Sequence, residues 1–363
     1  MFEVKGKYGI AKIFSKNRDV GAIEQVQTLM DQPFVQGAAV RIMPDYHWGA
    51  GCTIGFTAGL GDYVVPNLVG VDIGCGIYIE NLGMQDFDLF VFDQVVHQIP
   101  AGFGSWRKPI EEAPFMRDLH CFNEVKNSII DVQVGTLGGG NHFIELDKDE
   151  ETEEIYLLIH SGSRNIGKQV ADHYQKLAIK NCKADVPDQL KYLEKEPLEK
   201  YLHDMQLCQK YASLNRITMA KYITTRFGRG NSYFQTIHNY IHEKDNIIRK
   251  GAVSARKGER LVIPLNMRDG SLICVGKGNA DWNYSSPHGA GRLYGRKEAF
   301  RTLNMQDFKA SMKDVFSTTI NRDTLDEAPM AYKPSDEIID AIGETVTIEK
   351  HIKPIYNFKA GRE

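Results

Sequence analysis

Two kinds of apolar spacing, in no fixed order along the chain, predict an α+β protein with mixed sheets surrounded by helices. Residues 8–14 alternate apolar and polar side chains with the period of two that a half-buried strand needs, whereas Ile23, Val26, Leu29 and Met30 recur at the spacing of a helix face. The strands and helices then succeed one another without the regular repeat of a parallel sheet. Short apolar runs place further strands at 38–43, 69–80, 142–146, 155–160, 261–265 and 272–275. Longer stretches place helices at 87–98, 115–130, 166–179, 198–226 and 335–342. No compositional seam, internal repeat or low-complexity segment interrupts the 363 residues, so 1–363 reads as one large domain.

Hydrophobic residues make up 42% and charged residues 25% of the chain, the balance of a globular protein rather than a disordered one. No apolar run approaches the ~20 residues that cross a bilayer, and Met1-Phe2-Glu3-Val4-Lys5 has no signal-peptide core, so a cytoplasmic protein with no membrane partner is expected. The cysteines at 52, 75, 121, 182, 208 and 274 lie far apart with no CxxC pair, which fits reduced thiols. A net charge of -3 decides nothing about nucleic acid, because phosphate binding depends on where cations cluster. They do cluster between Arg216 and Arg260, where ten Lys or Arg face three acids and Tyr222, Phe227, Tyr233 and Phe234 are interleaved. That composition suits a groove for a phosphate backbone as well as an ordinary solvated face.

Chemistry is concentrated in glycine-rich turns that carry His, Cys, Asp or Asn, where backbone and side chains can approach a ligand closely. Gly162 to Gln169 follows an apolar strand and opens a helix, as a P-loop does, but Gln169 has no hydroxyl for Mg²⁺. Asp72 and Cys75 sit three apart in Gly70-Val71-Asp72-Ile73-Gly74-Cys75-Gly76, so a carboxylate and a thiolate could meet one cation. His142 ends a triple-glycine loop, His160 ends an apolar strand and His238 lies in Ile237-His238-Asn239-Tyr240. A lone histidine is usually a core residue with a satisfied hydrogen bond, yet one Asp, one Cys and three His near glycine turns form a coherent N/O/S ligand set.

The stretches GVDIGCG (70–76), GTLGGGNHFIEL (135–146), HSGSRNIG (160–167), GKGN (276–279) and PHGAGR (287–292), in this order, resemble the RtcB family of GTP-dependent RNA ligases. The similarity runs from about Met43 to Lys359. It implies a single RtcB-type domain with a metal-centred cleft, two Mn²⁺ ions (Zn²⁺ or Co²⁺ able to occupy the site), and ligation of an RNA 3′-phosphate or 2′,3′-cyclic phosphate to a 5′-hydroxyl. By motif, Asp72, Cys75, His142, His160 and His238 would be the metal ligands, with Cys75 bridging. His288 would be the nucleophile that takes GMP from GTP, and Asp45 of Met43-Pro44-Asp45-Tyr46-His47 would orient it. Asn141 and Asn239 would lie near the phosphates, Gly289, Ala290 and Gly291 would bring backbone to the nucleotide, Glu145 and Lys359 would face the guanine edge, and Tyr332 would stack on the base. Arg164, Arg292 and Arg296 would take RNA phosphates, which guanidinium groups bind bidentately.

The chain departs from better-known members of that family at Leu265-Asn266-Met267-Arg268, where many have Gly-Ser-Met-Gly, and at Tyr284-Ser285-Ser286-Pro287, which lacks their cysteine. Its length is that of a compact variant. Two other readings use the same residues: a metal-dependent phosphoesterase acting on RNA ends without guanylylation, and a noncatalytic RNA-binding relative. The intact His288, Asp72 and Cys75 argue against the second.

Overall fold

The computed structural model describes residues 1–59, 61–242 and 244–361. One sheet has six strands in the order β1 (Phe2–Lys5), β2 (Ile10–Ile13), β3 (Arg41–His47), β4 (Ile54–Gly59), β10 (Ile247–Lys250) and β9 (Asn239–Ile241), parallel only between β2 and β3. A larger antiparallel sheet runs β12 (Arg260–Asn266), β13 (Gly270–Gly276), β15 (Val346–Lys359), β6 (Phe143–Lys148), β7 (Ile155–Ser161), β5 (Gly76–Gly83) and β8 (Ser232–Ile237). A ribbon of β11 (Ala252–Ser254) and β14 (Ser285–Pro287) lies with them. The helices are α1 (Val20–Met30), α2 (Leu89–Val96), α3 (Ile130–Gln133), α4 (Arg164–Asn181), α5 (Lys195–Phe227), α6 (Arg296–Thr302), α7 (Met305–Ser311) and α8 (Ser335–Ala341). This is the α+β class with mixed sheets that the sequence predicts.

The seven-stranded sheet is apolar on both faces, which is why its strands read as continuous runs. Ile77 and Ile79 of β5, Phe143 of β6, Tyr156 and Leu158 of β7, Val262, Ile273 and Ile352 point inward, the paired residues of β5 and of β7 two apart along their strands. The sheet curls until its edges approach, with the Arg260 guanidinium of β12 over the Phe234 ring of β8 at 4.8 Å. The alternate residues, including Ile144, Leu146, Leu157 and Ile159, pack outward beneath Phe92 and Val96 of α2 and Met219, Ala220 and Ile223 of α5. On the other sheet, Val26, Leu29 and Met30 of α1 join Ile13 and Ile42 in a second core. Asp19 caps α1 by accepting from the Ala22 amide at 3.0 Å.

Four expectations change. Residues 115–130 do not form one helix but three 3₁₀ turns, Pro114–Asp118, Phe122–Glu124 and Asn127–Ile129. The Asp204 carboxylate takes the His120 and Cys121 amides, giving them a partner outside any helical ladder. Strand β5 begins only at Gly76, because 70–75 is a turn, and β3 lies at 41–47 rather than 38–43. The basic segment is no continuous face either: Arg216, Arg249 and Lys250 are buried and bond to protein oxygens. Glu243, one of its three acids, lies outside the described residues. All six cysteines are unpaired thiols, and no described helix is long and apolar enough to cross a membrane.

Candidate metal centre and nucleotide cleft

Strand register assembles the metal-ligand candidates. Gly76 of β5 stands opposite Ser161 of β7 on one side and Ile237 of β8 on the other, and Phe143 of β6 stands opposite His160. Cys75, His142, His160 and His238, each at or beside these positions, therefore converge at one end of the large sheet. Asp72 joins them because the turn doubles back, with the Cys75 amide on the Asp72 carbonyl at 3.2 Å and the Gly74 amide on the Asn239 carbonyl at 2.8 Å. Gly162 is required there, since a Cβ would stand 2.0 Å from the Asp72 carboxylate.

The donor atoms lie at the spacing of ligands around a shared ion. Cys75 Sγ is 3.5 Å from His142 Nε2 and 3.3 Å from His160 Nε2, His160 Nε2 is 3.4 Å from His238 Nε2, and His142 Nε2 is 3.0 Å from Asp72 Oδ2. Two donors each about 2.1 Å from one cation are separated by roughly 3.0–3.4 Å. The tautomers agree, because Nδ1 of His142 donates to the Leu137 carbonyl at 2.9 Å and Nδ1 of His160 to the Asn141 carbonyl at 3.1 Å, which turns their Nε2 lone pairs inward. Facing lone pairs repel unless a cation lies between them, so the residues fit a metal.

Electrostatics keep the imidazoles neutral and the carboxylate charged, whereas only a bound cation would offset what burial does to the thiol. Burial first, and the neighbouring imidazoles of His142 for His160 and of His288 for His238, hold both rings well below the usual histidine range and keep them neutral. Burial and the Asp72 charge push the Cys75 thiol well up, opposed by the buried Arg216 guanidinium. Asp72 is pushed up by burial, but the neighbouring His142 imidazole and the Arg164 guanidinium outweigh this and hold it below the ordinary carboxylate value.

Across the cleft, Asp45 of β3 is fully buried and its Oδ2 lies 2.6 Å from His288 Nδ1 and 3.2 Å from the His288 amide. An ionised carboxylate can only accept, so the ring proton sits on Nδ1 and Nε2 carries the lone pair. The His288 and His238 rings lie 4.8 Å apart, which puts that imidazole beside the metal-ligand candidates. Gly291, at φ +76°, lets the 289–291 loop lie on Asp45, whose carbonyl would be 2.1 Å from a Cβ. Lys333 was not singled out by sequence. Its ammonium donates to the Pro44 carbonyl at 3.1 Å and the Tyr46 carbonyl at 2.7 Å, fixing the backbone on both sides of Asp45.

Asp72, Cys75, His160, His238 and His288 line one cleft of about 1110 Å³ together with Asn141, Glu145, Asn239, Ala290, Tyr332 and Lys359. Asn239 bridges the Asp72 carbonyl and the Gly251 amide, so its side chain braces the metal turn. Sequence reasoning missed the residue at the centre of the end of the cleft lined by Tyr332 and Lys359. Glu327 is buried and receives Lys359 Nζ at 2.8 Å, the Tyr332 hydroxyl at 2.5 Å, and Arg292 and Arg296 at 3.0 and 2.8 Å. Burial opposes its charge, yet Lys359, Arg296 and Arg292 hold it far below the ordinary carboxylate range. No motif marks this residue; only the cations around it do.

The arginines need correction. Arg164 is buried, with Nε on the Thr136 hydroxyl at 3.1 Å and Nη2 on the Gly102 carbonyl at 2.9 Å, so it braces the 135–142 loop instead of offering itself to RNA. Arg292 is turned to Glu327 and to the Asp326 and Tyr294 carbonyls. Arg296 is half exposed beside the exposed Lys297 and Arg301, which also line the cleft and which sequence did not single out. The P-loop-like turn has its own function: the Ser163 amide donates to Asp72 Oδ1 at 3.1 Å.

A family profile described as tRNA-splicing ligase RtcB matches residues 25–125 and 110–360. The RNA-splicing ligase RtcB of Escherichia coli K12 is 29% identical over 91% of this chain and 92% of its own length. The tRNA-splicing ligase RtcB of Nanoarchaeum equitans is 26% identical over 92% of this chain and 90% of its own, and the RNA-splicing ligase RtcB of Mycobacterium bovis is 26% identical over 82% and 91%. Matches of this length include every turn that builds the cleft, and the chain belongs to the RtcB family.

Proposed function

We propose that this protein is a cytoplasmic GTP- and Mn²⁺-dependent RNA ligase that joins an RNA 3′-phosphate or 2′,3′-cyclic phosphate to a 5′-hydroxyl, in RNA repair or splicing. The observation that carries the reading is the 2.6 Å contact of Asp45 with His288 Nδ1, which makes Nε2 a nucleophile beside a metal-ligand cluster. His288 Nε2 attacks the α-phosphorus of GTP, the bond to the leaving pyrophosphate breaks, and Asp45 stabilises the positive charge on the ring. An oxygen of the RNA 3′-phosphate then displaces the histidine, which returns to its neutral form. The 5′-hydroxyl attacks the activated 3′ phosphorus, GMP leaves, and the RNA keeps its own phosphate. A cyclic end is hydrolysed first.

Metals held by Asp72, Cys75, His142, His160 and His238 supply charge neutralisation at the phosphates. Glu145 accepts from guanine N1 and N2, Lys359 donates to O6 and Tyr332 stacks on the base, which selects GTP over ATP. Asn141, Asn239 and the 289–291 backbone approach the phosphates, and the half-exposed Arg296 faces the RNA, while Arg292 holds Glu327. Intact mass after incubation with GTP and Mn²⁺ tests the reading. Wild type gains one GMP, and His288→Ala gains none. An adduct undiminished in His288→Ala would place the nucleophile elsewhere, and release of phosphate from RNA ends with neither adduct nor GTP requirement would favour a phosphoesterase.

A further inference from the structure

Outside the cleft, a second group of ligand-type side chains joins α5 to the 3₁₀ segment that precedes α3. Asp204 and His203 lie in the N-terminal third of α5, and His120 lies between the first two 3₁₀ turns. The His120 and His203 rings are 4.7 Å apart, and one donor atom from each of His120, His203 and Asp204 falls within 4.8 Å of the others. His203 Nδ1 is 3.1 Å from Asp204 Oδ1, within the roughly 3.0–3.4 Å separation of two donors on one ion.

The carboxylate is built to remain charged where it is. It is fully buried, yet the His120 amide at 2.8 Å, the Tyr174 hydroxyl at 2.7 Å and the His203 ring at 3.1 Å outweigh burial and keep it below the ordinary carboxylate value, and the Cys121 amide holds Oδ2 at 3.1 Å. A hydrogen bond from His203 alone would account for that histidine but not for the second imidazole brought against it. His120 is exposed, which leaves the outer coordination positions to water.

We propose that His120, His203 and Asp204 form a second metal site, separate from the cleft and selective for a borderline divalent ion of the Zn²⁺ or Ni²⁺ type. Two imidazoles and one carboxylate favour such ions over Mn²⁺ and Mg²⁺ by the general order of divalent affinities. The site clasps the 3₁₀ segment to α5. The same helix holds the cleft turns through Asn215 and Arg216, about 17 Å further along at 1.5 Å per residue. The ion's effect is on stability, and the proposal does not depend on the ligase reading.

The test uses the full chain carrying Cys75→Ser and His160→Ala, which disable the cleft centre. This protein is dialysed against Zn²⁺ at twice its concentration with a tenfold excess of Mn²⁺, then analysed for metal. One equivalent of Zn²⁺ is expected to stay bound. Adding His120→Ala, or separately His120→Gln, removes an exposed side chain without touching its amide, and at least a tenfold loss of Zn²⁺ affinity is expected. In the otherwise wild-type chain, His120→Gln should reduce the rise in thermal midpoint that Zn²⁺ produces. Absence of bound Zn²⁺ in the cleft-disabled protein, or an undiminished equivalent after both His120 substitutions, overturns the site.

Discussion

Under the proposed function, Glu145 gives nucleotide selection a pH dependence. Burial lifts its carboxyl to about 7, while the Lys359 charge and the Asn357 amide work in the opposite direction. Only the ionised form can accept from guanine N1 and N2, so GTP binding releases a proton below that pH. Affinity for GTP therefore rises from pH 6 to 8 and levels off above. Glu145→Gln should bind GTP at least tenfold more weakly, about 1.4 kcal/mol, and flatten this profile in calorimetric titrations across that range. A wild-type profile that falls with pH would remove Glu145 from the guanine edge. Stability changes in the other direction. With its folded value raised, Glu145 keeps its proton between the ordinary carboxylate value and about 7, and stability is lost as pH rises through that window. Glu145→Gln should remove this loss, giving a denaturant midpoint that is less sensitive to pH between 5 and 7.5.

The decisive element is α5, whose buried polar residues hold the cleft loops. Asn215 Oδ1 accepts from the Gly135 and Thr136 amides at 2.8 and 3.0 Å, and its Nδ2 donates to the Thr136 carbonyl, the Ser161 hydroxyl and the Gly162 carbonyl. Arg216 Nη1 ties the Gly74 carbonyl at 2.9 Å to the Ser161 carbonyl at 2.7 Å. Asn215→Ala leaves buried amides unpaired, at a cost of about 2–4 kcal/mol. It should also lower metal occupancy, because the loop it releases carries His142. Urea unfolding and metal analysis of the same sample check both effects, and lost stability with full occupancy would separate α5 from the centre.

The helix was legible in sequence and this function was not. Apolar spacing marks a helix, but a buried Asn or Arg looks solvent-facing until its partners are known. The same reason hid Glu327 and Lys333. Cys75, His142 and His160 were readable because glycine turns bracket them, and they converge as expected. The short strands β9, β10, β11 and β14 carry three or four residues each, too few for a period to declare itself. Arg164 misled because a motif preserves a residue type without saying whether it faces ligand or protein.

At the scale of the whole molecule, two sheets divide the chemistry. Asp45 belongs to the six-stranded sheet and His288 follows the ribbon, while the metal-ligand candidates gather on the seven-stranded sheet. The two halves are nevertheless joined by covalent and packing links. A single residue, His238, connects β8 of one sheet to β9 of the other. Lys250 of the smaller sheet donates to the Ala50, Cys52 and Asn67 carbonyls along the cleft wall. The 33-residue α5 enters both cores, with Tyr201, Met205, Cys208 and Tyr211 in one and Met219, Ala220 and Ile223 in the other. Neither sheet can lose its packing without exposing part of that helix, so the chain should unfold in one transition, as a single domain does. Under the proposed function, Mn²⁺ at a hundred times its dissociation constant would add about 2.7 kcal/mol to the folded state. In calorimetry it should move the entire transition upward, and Cys75→Ser should abolish the shift, because the hydroxyl replacing the thiolate hardly ionises at neutral pH. Two resolved transitions, of which Mn²⁺ moves only one, would mean that the sheets unfold independently and that the cleft lies between two domains.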